Sequence, residues 1–148
     1  MDMQWQPKNL DEFYVSVHEL FDYIIQNYSK KDSAAVVCLS GNLGTGKTTT
    51  TQEIAKILGI SETLQSPTFV IRKSYVTSHP VFKKLIHIDA YRLTEQDNLA
   101  LFHFEDDFNS PETLVIIEWP EMIQQIIPDY AISVFLEYAG EGRTITIK

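Results

Sequence analysis

The chain has 148 residues, of which 44% are hydrophobic and 22% are charged, so it is long enough to bury a substantial core, and we predict a single domain over residues 1–148. Twenty acidic residues against twelve basic ones give a formal charge of -8, which argues against a protein that grips the phosphate backbone of nucleic acid by itself. No apolar run approaches the ~18 residues of a membrane helix. Cys38 is the only cysteine, so we expect no intrachain disulfide, no disulfide-linked partner and no structural zinc. These features predict a cytoplasmic protein without a membrane attachment.

The first predicted element is a helix over about residues 10–28. Apolar side chains recur in this segment at intervals of three and four residues, as one buried face of a helix requires. Asn9 and Glu12 have the spacing of a capping box, which would satisfy two free amides at the start of the helix. We expect this helix to pack on a sheet.

Four apolar runs predict strands of that sheet. The runs 34–39 and 114–117 are nearly continuous, which is typical of central parallel strands that are covered on both faces. The runs 69–76 and 81–89 flank a polar segment at 77–80 and predict an antiparallel hairpin with a tight turn.

The second half of the chain predicts two further elements. Thr94 is expected to cap a short helix around residues 99–102. The runs 130–138 and 143–148 flank a glycine-containing turn at 139–142 and predict a closing hairpin. Helices that alternate with buried strands predict an α/β fold of three layers.

Residues 41–48 read Gly-Asn-Leu-Gly-Thr-Gly-Lys-Thr and match the P-loop pattern of two glycines separated by four residues and followed by Lys and Ser or Thr. The motif follows a predicted buried strand and opens a predicted helix that runs to Leu58, where Gly59 is placed to end it. In that setting, successive backbone amides point into one concavity and cradle phosphate oxygens. We therefore predict a P-loop NTPase-like domain with a mostly parallel central sheet. The predicted nucleotide contacts are Gly41, Asn42, Leu43, Gly44, Thr45, Gly46, Lys47, Thr48 and Thr49.

A lysine, a hydroxyl group and carboxylates complete the predicted site. Lys47 is expected to place its charge on the β and γ phosphates, and the hydroxyl of Thr48 is expected to ligate Mg²⁺. The metal also needs a carboxylate at the end of a central strand, and Asp89 and Glu118 each end an apolar run. We expect one acid to hold the metal and the other to orient the attacking water, and the residues alone leave open which does which.

The sequence favours ATP as the nucleotide, because no guanine-selecting segment of the Asn-Lys-x-Asp type follows the P-loop. Two alternatives to an ATPase remain. A small-molecule or nucleoside kinase would use the same P-loop, but such enzymes usually bring several arginines and a lid over the phosphates, and Arg72, Arg92 and Arg143 are widely separated. A nucleotide-gated binding module would bind ATP with negligible hydrolysis.

Five segments in a fixed order carry a resemblance over nearly the whole chain: residues 41–48, 66–69, 87–93, 117–121 and 142–143. Together they are similar to the TsaE family, also known as YjeE, of small bacterial ATPases of the tRNA threonylcarbamoyladenosine machinery. The resemblance implies an ATP- and Mg²⁺-dependent accessory ATPase that associates with the transferase subunit and its paralogous partner, of the TsaD and TsaB type. Such a protein does not transfer the threonylcarbamoyl group itself, and it meets tRNA indirectly.

The resemblance also implies roles for the residues at the metal site. Thr48 and Glu118 would ligate Mg²⁺. Asp89 would be a second acid at the same metal site, and hydrolysis would need it. Lys47 would contact the phosphates that take part in the reaction.

Other implied roles concern the rest of the nucleotide. Ser66 and Thr68 would belong to a switch-like loop near the γ phosphate. Arg143 and the start of the first helix around Asp11 would lie near the base or the sugar. The isolated protein is expected to hydrolyse ATP slowly, because no arginine finger is evident in its sequence and the partner would complete the site.

Three residues near these motifs have structural interpretations. Tyr91 and Trp119 are expected to pack against other side chains, as aromatic residues usually do. His87 alternates with Ile86 and Ile88 and is expected to face a polar site or solvent rather than to ligate a metal.

Overall fold

A computed structural model describes residues 3–29, 32–62, 64, 71–94 and 96–148 of the chain. The strands are β1 (Met3–Trp5), β2 (Ala35–Ser40), β3 (Arg72–Val76), β4 (Lys84–Asp89), β5 (Thr113–Glu118), β6 (Ile132–Ala139) and β7 (Gly142–Ile147). The α-helices are α1 (Leu10–Gln26), α2 (Lys47–Ile57) and α3 (Phe104–Phe108), and 3-10 helices cover Leu99–Phe102 and Pro120–Ile126. No helix in the described ranges has both the length and the apolar composition that crossing a bilayer requires.

The strands of the described ranges form one mixed sheet in the order β1-β7-β6-β2-β5-β4-β3. Its centre is parallel, because β2 pairs in parallel with both β5 and β6, and β5 pairs in parallel with β4. The edges are antiparallel, since β3 pairs with β4, and β7 pairs with β6 and with β1. The predicted α/β class, the hairpin after the P-loop helix and the closing hairpin are therefore confirmed.

Each face of the sheet has its own hydrophobic core. Helices α1 and α2 cover one face, where Leu39 and Leu114 are fully buried. Helix α3 and the 3-10 segments cover the other face, where Val36 and Val115 are buried. Burial on both faces explains why β2 and β5 are nearly continuous apolar runs, because a strand with one wet face would alternate with polar residues.

Helix α1 begins as predicted but ends earlier. Asn9 Oδ1 accepts the backbone N–H of Glu12 at 2.9 Å, which is the expected N-cap. The Glu12 carboxylate accepts the backbone N–H of Lys8 at 2.9 Å, one residue before the position that a capping box uses. The helix ends at Gln26, and the buried Tyr28 instead donates its hydroxyl to the Ser33 carbonyl at 2.7 Å, closing the turn into β2.

The connection between β3 and β4 spans residues 77–83 and is longer than the predicted tight turn. The ring of His79 holds it together, because His79 Nδ1 accepts the backbone N–H of Val81 at 3.1 Å and that of Phe82 at 3.4 Å. The Thr77 hydroxyl also donates to the Phe82 carbonyl. These side-chain bonds take up backbone groups that would otherwise extend the two strands.

The prediction that Thr94 caps the next helix is wrong. The backbone N–H of Thr94 donates to Asp97 Oδ2 at 2.6 Å, so Thr94 belongs to a separate turn. Asn98 occupies the cap position of the 3-10 helix Leu99–Phe102, where its Oδ1 accepts the N–H of Ala100 at 3.2 Å.

The His79 turn predicts that stability depends on pH. Burial lowers the pKa of His79, and Lys83 lowers it further. In the unfolded chain the ring takes up a proton near its ordinary pKa of ~6.5. The unfolded state therefore binds more protons just below that pH, so the free energy of unfolding decreases as the pH falls from about 6.5 through the lowered folded pKa.

Urea unfolding of the wild type and of His79→Asn at pH 7.5 and pH 5.5 measures this effect. Asn offers an acceptor oxygen in place of Nδ1 but does not titrate, so we expect the variant to lose less stability between the two pH values. Equal losses in both proteins would contradict the assignment, because every other titrating group is common to them.

Candidate functional site

The P-loop segment connects β2 to α2, in the strand-loop-helix order that the sequence predicts. Gly46 is the N-cap residue of α2 and has a left-handed φ of 110°, where a Cβ would lie 2.8 Å from Phe13 Cζ. A Cβ on Gly41 would overlap the Leu136 carbonyl of β6. Glycine at these two positions therefore lets the loop lie directly against α1 and β6.

The closing hairpin braces this loop from the side. The Tyr138 hydroxyl donates to the Leu43 carbonyl at 2.8 Å, and Arg143 Nη2 donates to the Gly44 carbonyl at 3.3 Å. The Arg143 guanidinium also lies 4.5 Å from the centre of the Tyr138 ring. Arg143 thus contacts the P-loop, and its place near the base or the sugar stays a prediction. No signal in the sequence indicated Tyr138, because only the fold brings β6 beside the loop.

Lys47 is 6% exposed and lies within the loop. Its ammonium donates to the Gly41 carbonyl and, at 3.4 Å, to the Asn42 carbonyl, and it lies 4.0 Å from the centre of the Trp119 ring. Burial lowers the pKa of Lys47, and the negative charge of Glu118 opposes that effect most strongly among three nearby acids. The lysine is held by neutral carbonyls and a ring face, with negative charge close by.

Asp89 and Glu118 lie opposite each other in the parallel pairing of β4 and β5. They are 4% and 3% exposed, respectively. The Thr48 hydroxyl donates to Glu118 Oε1 at 3.2 Å, and Asp89 Oδ1 accepts the backbone N–H of Tyr91 at 3.0 Å. The two acids and the first turn of α2 therefore meet at one edge of the sheet, and their individual roles stay predictions.

His87 lies beneath Glu118 and is fully buried. Its Nε2 is 2.5 Å from Glu118 Oε2. The expectation that His87 faces a polar group is thus met by a carboxylate and not by solvent.

Two adjoining cavities lie on either side of the loop. We name the larger, about 370 Å³, the phosphate-side cavity; it is lined by Leu43, Gly44, Gly46, Lys47, Thr48, Thr49, Asp89, Tyr91, Glu118 and Trp119. We name the smaller, about 220 Å³, the hairpin-side cavity; it is lined by Pro7, Asn9, Leu10, Phe13, Gly44, Thr45, Gly46, Thr49, Glu141, Gly142 and Arg143. The shared lining residues make the two cavities neighbouring parts of one cleft.

Not every predicted site residue lines this cleft. Asp11 is exposed in the first turn of α1 and lines neither cavity, whereas Asn9 and Phe13 from the same region do. Ser66 and Thr68 lie outside the described residues.

The two aromatic residues beside the acids, Tyr91 and Trp119, have a place in the site that the sequence analysis did not predict. Tyr91 and Trp119 do contact each other, with ring centres 5.0 Å apart. Both also line the phosphate-side cavity, and Tyr91 is 50% exposed. Tyr91 and Trp119 therefore pack against each other, as predicted, and also form part of the wall of the site. The position of Trp119 directly after Glu118 could have indicated this.

The available donor atoms fit a magnesium ion that is shared with a nucleotide. In the part of the chain that the structure describes, no group of three or more His, Cys, Asp or Glu side chains is arranged to hold a metal. Thr48 and Glu118 are hard oxygen donors in contact with each other, and Mg²⁺ typically combines one or two such protein ligands with phosphate oxygens and water. Cys38 takes no part, because burial raises the pKa of its thiol to about 12.

Comparison with known proteins gives consistent relatives. The family model described as "Threonylcarbamoyl adenosine biosynthesis protein TsaE" matches residues 16–145. The tRNA threonylcarbamoyladenosine biosynthesis protein TsaE of Haemophilus influenzae is 33% identical over 116 residues, which are 78% of this chain and 71% of that protein. The protein of the same name from Bacillus subtilis is 34% identical over 113 residues, which are 75% of this chain and 67% of that protein. The crystal structure of Bacillus subtilis YdiB is similar with a TM-score of 0.74 and 25% identity, covering 99% of this chain and 84% of that one.

The contact of Gly46 with Phe13 predicts a specific cost of adding a methyl group. Gly46→Ala places a Cβ at a left-handed φ and 2.8 Å from the Phe13 ring. We expect it to lower the free energy of unfolding by ~1–3 kcal/mol through backbone strain, with a further loss from the overlap, as measured by urea unfolding.

Gly140→Ala is the matched control. Gly140 also has a left-handed φ, of 62°, but an added Cβ there has no neighbour within 4 Å. We therefore expect Gly140→Ala to cost less than Gly46→Ala, and equal costs would show that the loop does not need close contact with α1.

Proposed function

The chain belongs to the TsaE family of threonylcarbamoyl adenosine biosynthesis proteins, and we propose that it serves tRNA modification as an Mg²⁺-dependent accessory ATPase. The observation that carries this proposal is the meeting of Lys47, Thr48, Asp89 and Glu118 in one cleft at the carboxyl ends of the parallel strands β4 and β5. A P-loop NTPase needs a phosphate cradle, a cation and metal-binding oxygens at the same place. The residues of this cleft supply all three.

The phosphates of ATP would replace the carbonyl groups that Lys47 contacts in this structure. Its ammonium now donates to two neutral carbonyls of the loop, at Gly41 and Asn42. A hydrogen bond between an ammonium and an anionic oxygen is roughly twice as strong as one to a neutral acceptor. Binding of the triphosphate would therefore move Lys47 from the carbonyls to the β and γ phosphates.

The acids divide the remaining work at the γ phosphate. Thr48 and Glu118 would hold Mg²⁺, which neutralises charge on the phosphates when bound. Asp89 lies beside Glu118 in register and is buried, and we propose that its carboxylate orients the attacking water and accepts its proton.

The base and sugar are assigned to the hairpin-side cavity. It adjoins the phosphate-side cavity through Gly44, Gly46 and Thr49. The Phe13 side chain supplies an apolar wall, and the Arg143 side chain supplies a positive charge. The absence of a guanine-selecting segment in the sequence supports ATP over GTP.

An accessory role explains the small number of positive charges in the cleft. Of the residues that line the phosphate-side cavity in the described chain, Lys47 is the only cation. Without an arginine finger we expect slow turnover by the isolated protein and stimulation by the transferase subunit and its paralogous partner, of the TsaD and TsaB type. The net charge of -8 disfavours direct binding of tRNA by this chain. We propose that the partners bind the tRNA and that the assembly acts in the cytoplasm.

Substitutions of Lys47 and Glu118 test the site. We expect Lys47→Ala to abolish the calorimetric heat of ATP binding. We expect Glu118→Gln to retain nucleotide binding in EDTA but to lower partner-stimulated ATP turnover by about 100-fold or more, as loss of one electrostatic group typically does. Glu105→Gln, the same change at an exposed position outside both cavities, is the control and keeps wild-type turnover. Failure of the folded wild type to bind ATP, or full turnover by Glu118→Gln, contradicts the proposal.

Two further measurements test the role of the ATPase. We expect a pull-down with the tagged chain to retain the transferase subunit and its paralogue more strongly with ATP and Mg²⁺ than with ADP, because the γ phosphate contacts differ between the two. We also expect label from the γ phosphate to appear in inorganic phosphate. Label in a small-molecule acceptor indicates a kinase instead, and equal retention with both nucleotides contradicts nucleotide-dependent association.

A further inference from the structure

The contact between His87 and Glu118 has no role in the proposed ATPase mechanism. His87 lies on β4 and pairs in register with Ile116 of β5. Its side chain shares a sheet face with Leu85 and Leu114, which are fully buried in the core beneath α1 and α2. At 0% exposure and with Nε2 2.5 Å from Glu118 Oε2, the ring joins the apolar core to the acid.

Packing alone does not account for a histidine at this position. Leu85, Leu114 and Ile116 around His87 on this face are aliphatic and fully buried, and burial of an imidazole there costs free energy unless its polar atoms are satisfied. His87 Nδ1 has no hydrogen-bond partner among the described residues. The ring therefore forgoes one hydrogen bond while Nε2 keeps its contact with Glu118, which indicates that the contact with the acid is what this side chain provides.

We propose that His87 is a positioning residue that fixes the Glu118 carboxylate for monodentate binding of Mg²⁺. The Nε2–H donates to Oε2, and the other oxygen, Oε1, is left facing the Thr48 hydroxyl at 3.2 Å. This inference rests on the proposed Mg²⁺-dependent binding of ATP at Thr48 and Glu118, and it adds the residue that sets the geometry of that ligand.

The coordination chemistry of the cation explains why one oxygen should be occupied. Mg²⁺ requires nearly ideal octahedral geometry and usually takes one oxygen from each carboxylate, whereas Ca²⁺ accepts bidentate carboxylates in flexible geometry. A donor on Oε2 fixes the orientation of the carboxylate and competes with bidentate binding. Partners of this kind, behind a metal ligand, typically change metal affinity or activity by 10–100-fold when they are removed.

Three substitutions separate orientation of the ligand from packing. His87→Leu removes the donor and fills a similar volume. In His87→Gln the amide nitrogen reaches the position of Nε2, whereas in His87→Asn it is too short to do so. Ile116→Val, at the position paired with His87, alters the same layer of the core without changing a polar group.

The readout is the affinity of a fluorescent ATP analogue in EDTA and in titrations with Mg²⁺ and with Ca²⁺. We expect every variant to bind the analogue in EDTA as the wild type does. We expect His87→Leu and His87→Asn to need about 10-fold or more Mg²⁺ for half of the metal-dependent effect, with a smaller change for Ca²⁺. His87→Gln and Ile116→Val should stay close to the wild type.

The outcomes distinguish this inference from the proposed function. A wild type that shows no Mg²⁺-dependent binding overturns the proposed function and the inference together. A normal wild type with an unchanged Mg²⁺ requirement in His87→Leu overturns the inference alone. If His87→Leu does not fold cooperatively, the comparison of Gln with Asn decides, and equal Mg²⁺ requirements in these two variants overturn it.

Discussion

The register between β4 and β5 is the constraint on which the candidate site depends. Because the pairing is parallel and both strands end at the same level, Asp89 lies beside Glu118. Two adjacent buried carboxylates are unfavourable unless donors and positive charge face them. The Thr48 hydroxyl contacts Glu118 from α2, and the His87 ring contacts it from within the sheet. The positive charge of Lys47 interacts with both acids. A shift of the pairing by one residue would turn one acid to the opposite face of the sheet.

Much of the fold follows from local patterns in the sequence. The continuous apolar runs predict β2 and β5, and the spacing of three and four residues predicts α1, because each pattern reflects how many faces of an element are buried. Strand β1 was not predicted, since Met3–Trp5 is too short to show a period. The predicted ends of elements were wrong where a side chain bonds backbone groups, because such bonds compete with those of strands and helices. His79 does this between β3 and β4, and Asn98 does it before the 3-10 helix.

The candidate site was predictable to a smaller extent. The P-loop motif and the acids at the ends of apolar runs are visible in the sequence. The structure brings residues 43–49 and both acids to one cleft, whereas Gly41 and Asn42 line neither cavity. Tyr138 and Phe13 contact the loop only because β6 and α1 lie beside it. No residue spacing in the sequence predicts that these elements are neighbours. The same holds for Asp11. The resemblance indicates only that the start of α1 lies near the nucleotide, and in the structure Asn9 and Phe13, not Asp11, line the cavity there.

The brace between the closing hairpin and the P-loop also links this cleft to the order of protein synthesis. The Tyr138 hydroxyl and the Leu43 carbonyl that it contacts are 95 positions apart, which at ~5–20 residues per second corresponds to roughly 5–20 s of translation. For most of that interval β2 and α2 have been made, but β6, which pairs with β2, has not. A nascent chain on the ribosome therefore has the P-loop motif well before it has the hairpin that contacts it.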